Sequence, residues 1–226
     1  MQQPAGVYIC DEVRQVMKLH HDLLSDSVRS LPVREQLDLQ ANRVLDAHRD
    51  GNPAVATHLK CWHPQLVGCS TDEVLGFPLT LDEARLSIAR EYGFASWDDV
   101  ESRGEHPPDP EFEQAVDALL AGDLPTLRTL LQQRPSLVHE RSAFGHRATL
   151  LHYVGSNGVE TYRQVVPLNL AEVTQVLINA GADVNATAEI YGGGSTALML
   201  LLTSSHPAEA NVTDLVAKVL NEASAY

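Results

Sequence analysis

Apolar residues recur at three- and four-residue steps over most of the chain, the spacing that lays one stripe along a helix. Val13, Val16, Met17, Leu23, Leu24 and Val28 draw a first helix that stops before Pro32. Leu37, Ala41, Val44 and Leu45 draw a second, ended by Asp50 and Gly51, and Pro53 opens a third that His63 and Pro64 close. Thr80 followed by Glu83 predicts a capping box, in which the threonine oxygen accepts from a first-turn amide while the glutamate reaches back. Gly93 supplies a left-handed stop, Ser96 caps a short helix around Trp97 to Glu101, and Trp62 and Trp97 are expected to anchor short helices, in the core or by packing between helices. Three prolines between Gly104 and Pro110 cannot continue a helix, so residues 104–110 read as a linker between 1–103 and 111–226.

The two halves share a pattern. Setting Gly51 on Gly122, an offset of 71 residues, brings Asn52 onto Asp123, Leu59 onto Leu130, Pro64 onto Pro135 and Leu66 onto Leu137 without a gap. The shared unit is a helical hairpin around a Gly-Asn/Asp turn, and such units stack because one hairpin cannot cover its own apolar face. Further on, residues 173–186 read Val-Thr-Gln-Val-Leu-Ile-Asn-Ala-Gly-Ala-Asp-Val-Asn-Ala; Thr149-Leu150-Leu151-His152 and Thr196-Ala197-Leu198 each open a short apolar segment.

Those residues resemble ankyrin repeats, and the chain from about residue 30 is similar to small bacterial ankyrin-repeat proteins. In that group a helical region ending in a stretch like Ile88 to Trp97 precedes degenerate and then recognisable repeats. The resemblance implies an all-α architecture, an ankyrin-type helical-hairpin solenoid preceded by an α-helical N-terminal region. Residues 1–103 would hold one degenerate hairpin, and 111–226 a degenerate repeat, a repeat with a long insertion, and a terminal one. It also implies a protein partner bound on the concave face, and a structural place for His152. Thr149 to Thr196 spans 47 residues, where an ankyrin period is about 33. The surplus falls between Gly158 and Val173 and around Tyr191 to Gly194, with another insertion near His206.

Charge narrows the partners. Sixteen Lys and Arg against thirty Asp and Glu leave −14, shared by both halves, so the clustered cations that nucleic acid or anionic membrane demands are missing. At 44% hydrophobic the chain can bury a core, but its longest apolar run, Ala197 to Leu202, is far short of the ~20 residues of a membrane span. Three cysteines, an odd number without paired spacing, and a short polar Met1 to Gly6 followed by charges predict a cytoplasmic protein without a disulfide framework or signal peptide.

Candidate chemistry is sparse. Cys61, His63 and Cys69 lie within nine residues, but the spacing is not Cys-x-x-Cys; a helix end with buried thiols is expected, and no metal. Gly192-Gly193-Gly194-Ser195-Thr196 lacks the P-loop lysine and reads as a finger, so no cofactor is expected. Glu160, Tyr162, Arg163 and Gln164 stand out because they lie in an insertion the fold does not need, and Arg163 is one of six cations after residue 104. Two readings stay open. A rigid scaffold displays His152, Tyr153, Tyr191 and the insertion to a protein partner, with a preference for basic surfaces. Alternatively, His152, Glu160, Tyr162, Arg163, Gln164, Tyr191 and His206 line a pocket for a small organic molecule, with metal-independent acid/base chemistry on His152, Glu160, Tyr162 and Arg163.

Overall fold

The computed structural model describes residues 6–224, so most of the Met1 to Gly6 segment lies outside the described residues. The chain is predominantly helical. Strand β1 (Val7–Tyr8) is followed by α1 (Asp11–Leu19), α2 (Asp26–Arg29), α3 (Val33–Arg49), α4 (Ala54–Trp62), α5 (Thr71–Leu75), α6 (Leu81–Glu91) and α7 (Trp97–Arg103). Then come α8 (Pro110–Leu120), α9 (Leu124–Gln133), strand β2 (Val166–Pro167), α10 (Leu170–Asn179), α11 (Ala197–Thr203), α12 (Ser205–Glu209) and α13 (Thr213–Ser224). Among the described residues no helix is long and apolar enough to cross a membrane.

Two compact units divide the chain, and neither is a simple stretch of sequence. The first comprises Asp11–Pro108 with Ala143–Gly145; the second comprises the residues up to Cys10, Asp109–Ser142 and those from His146 onward.

In the first unit α3 packs on α6, and α4 on α1 and α6. Val33, Leu37, Ala41 and Val44 of α3, Val55 and Leu59 of α4, and Ala84 and Ile88 of α6 are fully withdrawn from solvent. The predicted capping box holds: Glu83 N donates to Thr80 Oγ1, and Thr80 N to the Glu83 carboxylate. Tyr92 exchanges hydrogen bonds with Gln40 of α3 and meets the Phe144 ring edge-on at 4.8 Å. Beside it a Cβ on Gly145 would come within 2.4 Å of the Gly93 backbone, so only glycine permits this close approach.

Several expectations need correcting here. The first helix is broken into α1, a 3-10 turn over His21–Leu24, and α2. Ser25 turns extended at ψ 155°, and Arg43 on α3 takes the Leu19 carbonyl left open at the end of α1. Of the two places expected for Trp62 and Trp97, the core is not the one they take, since both are half-buried; Trp97 packs between helices under Arg85 of α6 and donates to Glu101, and the buried Phe and Tyr rings of this unit are Tyr92, Phe94 and Phe144. Cys61 is exposed and Cys69 half-buried, so the thiols at the end of α4 are not buried, whereas His63 is. Within residues 104–110, the Gly104 and His106 carbonyls accept from the Arg34 and Val33 amides at the start of α3.

The second unit is built of helices α8 to α13 and carries the strands that the periodicity missed. β1 pairs antiparallel with β2, Val7 opposite Pro167 and Tyr8 opposite Val166, and Leu168 N extends the ladder to Gly6 O. Two-residue strands show no alternation, and their pairing joins distant parts of the chain. The segment opened by Thr149 is a 3-10 helix, Leu150–Gly155, ended at Ser156 in the left-handed region.

One turn recurs in both units. At Gly51, Gly93, Gly122, Gly181 and Asn211 a residue at positive φ follows a helix. The next N–H returns to a carbonyl five residues back: Asn52 to Ala47, Phe94 to Ala89, Asp123 to Ala118, Ala182 to Leu177 and Val212 to Pro207. This is the Schellman stop, which satisfies helix-end carbonyls and turns the chain.

A buried ionic cluster as the candidate functional site

The long insertion folds inward. Val159, Val165 and Val166 are buried, Ser156 Oγ donates to Val165 O at 2.9 Å, and Gln164 Nε2 donates to Val159 O at 2.8 Å. The 3-10 turn Thr161–Arg163 carries Glu160 and Arg163 into the interior, where Arg163 is only 1% exposed.

Around Arg163 the second unit gathers its charged groups. One terminal nitrogen lies 3.1 Å from Glu160 Oε1; the other lies 2.7 Å from Glu113 Oε2 and 3.1 Å from Asp117 Oδ1. Glu113 and Asp117 sit one turn apart on α8 and so present both carboxylates to one guanidinium. Tyr162 offers its ring 5.4 Å from the guanidinium carbon. Tyr153 donates to Glu160 Oε1 at 3.3 Å, and burial pushes its phenol well above the ordinary range, so it stays a donor.

His146 completes the set. Its Nδ1 accepts from Ala148 N, which puts the ring proton on Nε2, 3.5 Å from Glu160 Oε2. Burial alone would raise the Glu160 carboxyl, but Arg163 and then His146 outweigh it and hold the group at about 2. Glu160 is therefore an anion at neutral pH, with Arg163 and Tyr153 at Oε1 and the His146 ring 3.5 Å from Oε2. The cluster clamps the insertion to α8 through Arg163.

The other sequence candidates are engaged elsewhere. His152 Nδ1 accepts from Thr149 N at 3.1 Å, and its Nε2 lies 3.1 and 3.2 Å from the Ala186 and Ser195 carbonyls. Burial lowers this imidazole to about 4, so it is a neutral tie between loops. Tyr191 is 66% exposed and donates to Asn157 Oδ1, and His206 Nε2 faces Cys10 Sγ. Of the eight residues, the structure joins Tyr153, Glu160, Tyr162 and Arg163 in one cluster; it ties His152, Gln164, Tyr191 and His206 to other partners.

Glu113, Asp117 and His146 escaped the sequence reading. The available signal was the i, i+4 pair of acids on α8, with Glu113 next to the core residue Phe112.

A second buried array, also missed, lies in the first unit. Ser87 Oγ is 3.0 Å from His58 Nε2, and His58 Nδ1 is 3.2 Å from Glu91 Oε2, the order of groups in a nucleophile relay. All three are at most 1% exposed, so no substrate reaches the serine and the array ties α4 to α6. His20 stands edge-on to His58 at 6.4 Å with neither ring nitrogen hydrogen-bonded, and burial lowers it to about 4. Among the described residues no group of three or more His, Cys, Asp or Glu is arranged to hold a metal.

No family model, no curated protein and no solved structure matches the chain.

Proposed function

We propose that the second unit is an ankyrin-type stack of helical hairpins that binds a protein partner. Supporting the stack are the recurrent stops at Gly122, Gly181 and Asn211, together with Thr196 capping α11 through Met199 N. One observation carries the binding role. Met199 and Leu202, a turn apart on α11, are 54% and 62% exposed, and Leu215 on the adjoining α13 is 61% exposed. Large apolar side chains left in water on two packed helices favour a protein surface that covers them. The inward turn of Arg163 and Glu160 removes the polar groups that a small-molecule pocket would have used.

The net charge of −14 gives the partner a basic surface, so that association weakens as salt rises. The test compares the intact chain with a Leu202→Glu/Leu215→Glu double variant in affinity capture at low and moderate salt. Proteins retained by the parent and lost from the variant, with the melting midpoint unchanged, are the expected outcome. Burial of each leucine stabilises by about 1.5–3 kcal/mol, so the loss per side chain is about tenfold or more. Identical retained sets for parent and variant would remove the reading.

A further inference from the structure

Residues 6–10 are fastened to the second unit at three points. β1 pairs with β2, the Tyr8 hydroxyl donates to Glu209, and Cys10 Sγ stands 3.5 Å from His206 Nε2. Tyr8 and Cys10 are two residues apart on an extended segment; Glu209 and His206 are three apart on α12, so the segment and the helix meet in register. The thiol and imidazole are 196 residues apart in sequence, and neither belongs to the ionic cluster or to the apolar side chains of α11 and α13.

We propose that Cys10 and His206 form a working thiol–imidazole pair that makes Cys10 the nucleophilic cysteine of the chain, a site of oxidation by hydrogen peroxide and of alkylation by small electrophiles. The thiolate is the reacting species, and an unassisted thiol near 8.5 is only about 3% ionised at pH 7. An imidazole within reach of the sulfur takes that proton as the bond forms. His206 offers Nε2 to the sulfur, and its Nδ1 is buried without a hydrogen-bond partner, so no second bond draws the ring away. Glu209, on the same helix as His206, accepts from the Tyr8 hydroxyl. The pair acts by proton transfer in the reacting state, His206 Nε2 taking the thiol proton as the new bond to sulfur forms. Cys10 is buried, at 8% exposure, so the probes are small reagents.

With hydrogen peroxide, sulfur attacks one oxygen, the S–O bond forms as the O–O bond breaks, and the thiol proton passes through Nε2 to the departing hydroxide as water. Sulfur loses two electrons, peroxide gains them, and the product is a sulfenic acid beside His206. The other two thiols serve as internal references, Cys61 exposed and Cys69 half-buried with Gln65 O at 3.8 Å.

The test is competitive labelling of the intact native chain with limiting iodoacetamide from pH 5.5 to 9, each cysteine followed by peptide mass spectrometry. Cys10 is expected to react at least about tenfold faster than Cys61 at pH 7, the gain when a thiol proton has a base to receive it. From about pH 8.5 down to 7 its rate falls less steeply than that of Cys61, because a neutral imidazole is there to take the proton. One equivalent of hydrogen peroxide followed by a sulfenic-acid trap labels Cys10. His206→Gln lowers the Cys10 rate to that of Cys61 or below. A parent Cys10 slower than Cys61, or a fast Cys10 unchanged by His206→Gln, overturns the proposal. Should circular dichroism show that His206→Gln has lost its helices, the parent pH profile decides, and parallel curves for Cys10 and Cys61 overturn it.

Discussion

Arg163 shows how much one residue carries and how little of it was readable in advance. Its scarcity as a cation in the second half of an acidic chain drew attention to it, but its partners Glu113 and Asp117 lie 50 and 46 residues earlier, on a helix that reads as ordinary. Arg163→Met strands Glu160 and Glu113 in the interior, and removal of one partner from a buried charge set costs about 3–5 kcal/mol. Asp117→Asn affects a half-exposed group and is expected to cost under about 1 kcal/mol. Urea unfolding of the two variants separates these outcomes, and equal midpoints would remove the clamp.

The buried histidines set the acid limit. His20 and His152 are lowered to about 4 in the folded chain, against the ordinary 6.5 when unfolded. Between those values the unfolded chain binds protons that the native chain refuses, so stability is full above pH 6.5 and falls as pH drops toward 4. Each group contributes on the order of 3 kcal/mol to that fall. Glu160, held at about 2, adds its own loss only below the ordinary carboxylate range. Melting midpoints from pH 8 to 4 are expected to decline from about 6.5, and His20→Leu to decline less steeply. A flat profile would refute the dry histidines.

At the scale of elements, helices and their stops were legible because their determinants are local. Gly51 and Gly122 predicted the same turn, and both stand at positive φ, 67° and 66°. Their surroundings differ. A Cβ on Gly51 meets nothing within 4 Å, whereas one on Gly122 would lie 2.3 Å from Asn169 Oδ1 and 3.0 Å from Pro167 Cβ. Asn169 also donates to the Gly122 carbonyl, locking the turn to the end of β2. Gly51→Ala should therefore cost only the left-handed strain, about 1–2 kcal/mol, and Gly122→Ala clearly more. Thermal unfolding of the pair checks the order. β1, β2 and the break after Leu19 were not legible: the strands depend on pairing across the chain, and the Leu19 carbonyl is satisfied by Arg43, 24 residues on.

For the whole molecule, the proline-rich segment marked the main division between the units near residue 108, and the structure revised what belongs on each side. Residues 6–10 join the second unit through β1, and 143–145 join the first through Phe144 on Tyr92 and Gly145 on Gly93. Phe144→Ala is thus expected to destabilise the first unit by about 3–5 kcal/mol, although it lies in the second half of the sequence. Hydrogen exchange should show protection lost over α3 and α6 and kept over α8 and α10. Loss confined to α8 and α10 would contradict the assignment.

By itself the sequence determined the helices, their caps, their left-handed stops and an acidic surface, since each depends on residues within about a turn of one another or on simple counting. Only the tertiary structure decided that Arg163 and Glu160 answer Glu113, Asp117 and His146, that Ser87 meets His58, and that Cys10 meets His206. Those contacts join groups 14 to 196 residues apart, all of them far beyond a helical turn. A side chain's periodicity says which face it occupies, but burial and partner are set when elements pack, and desolvation then turns a surface charge into an interior clamp.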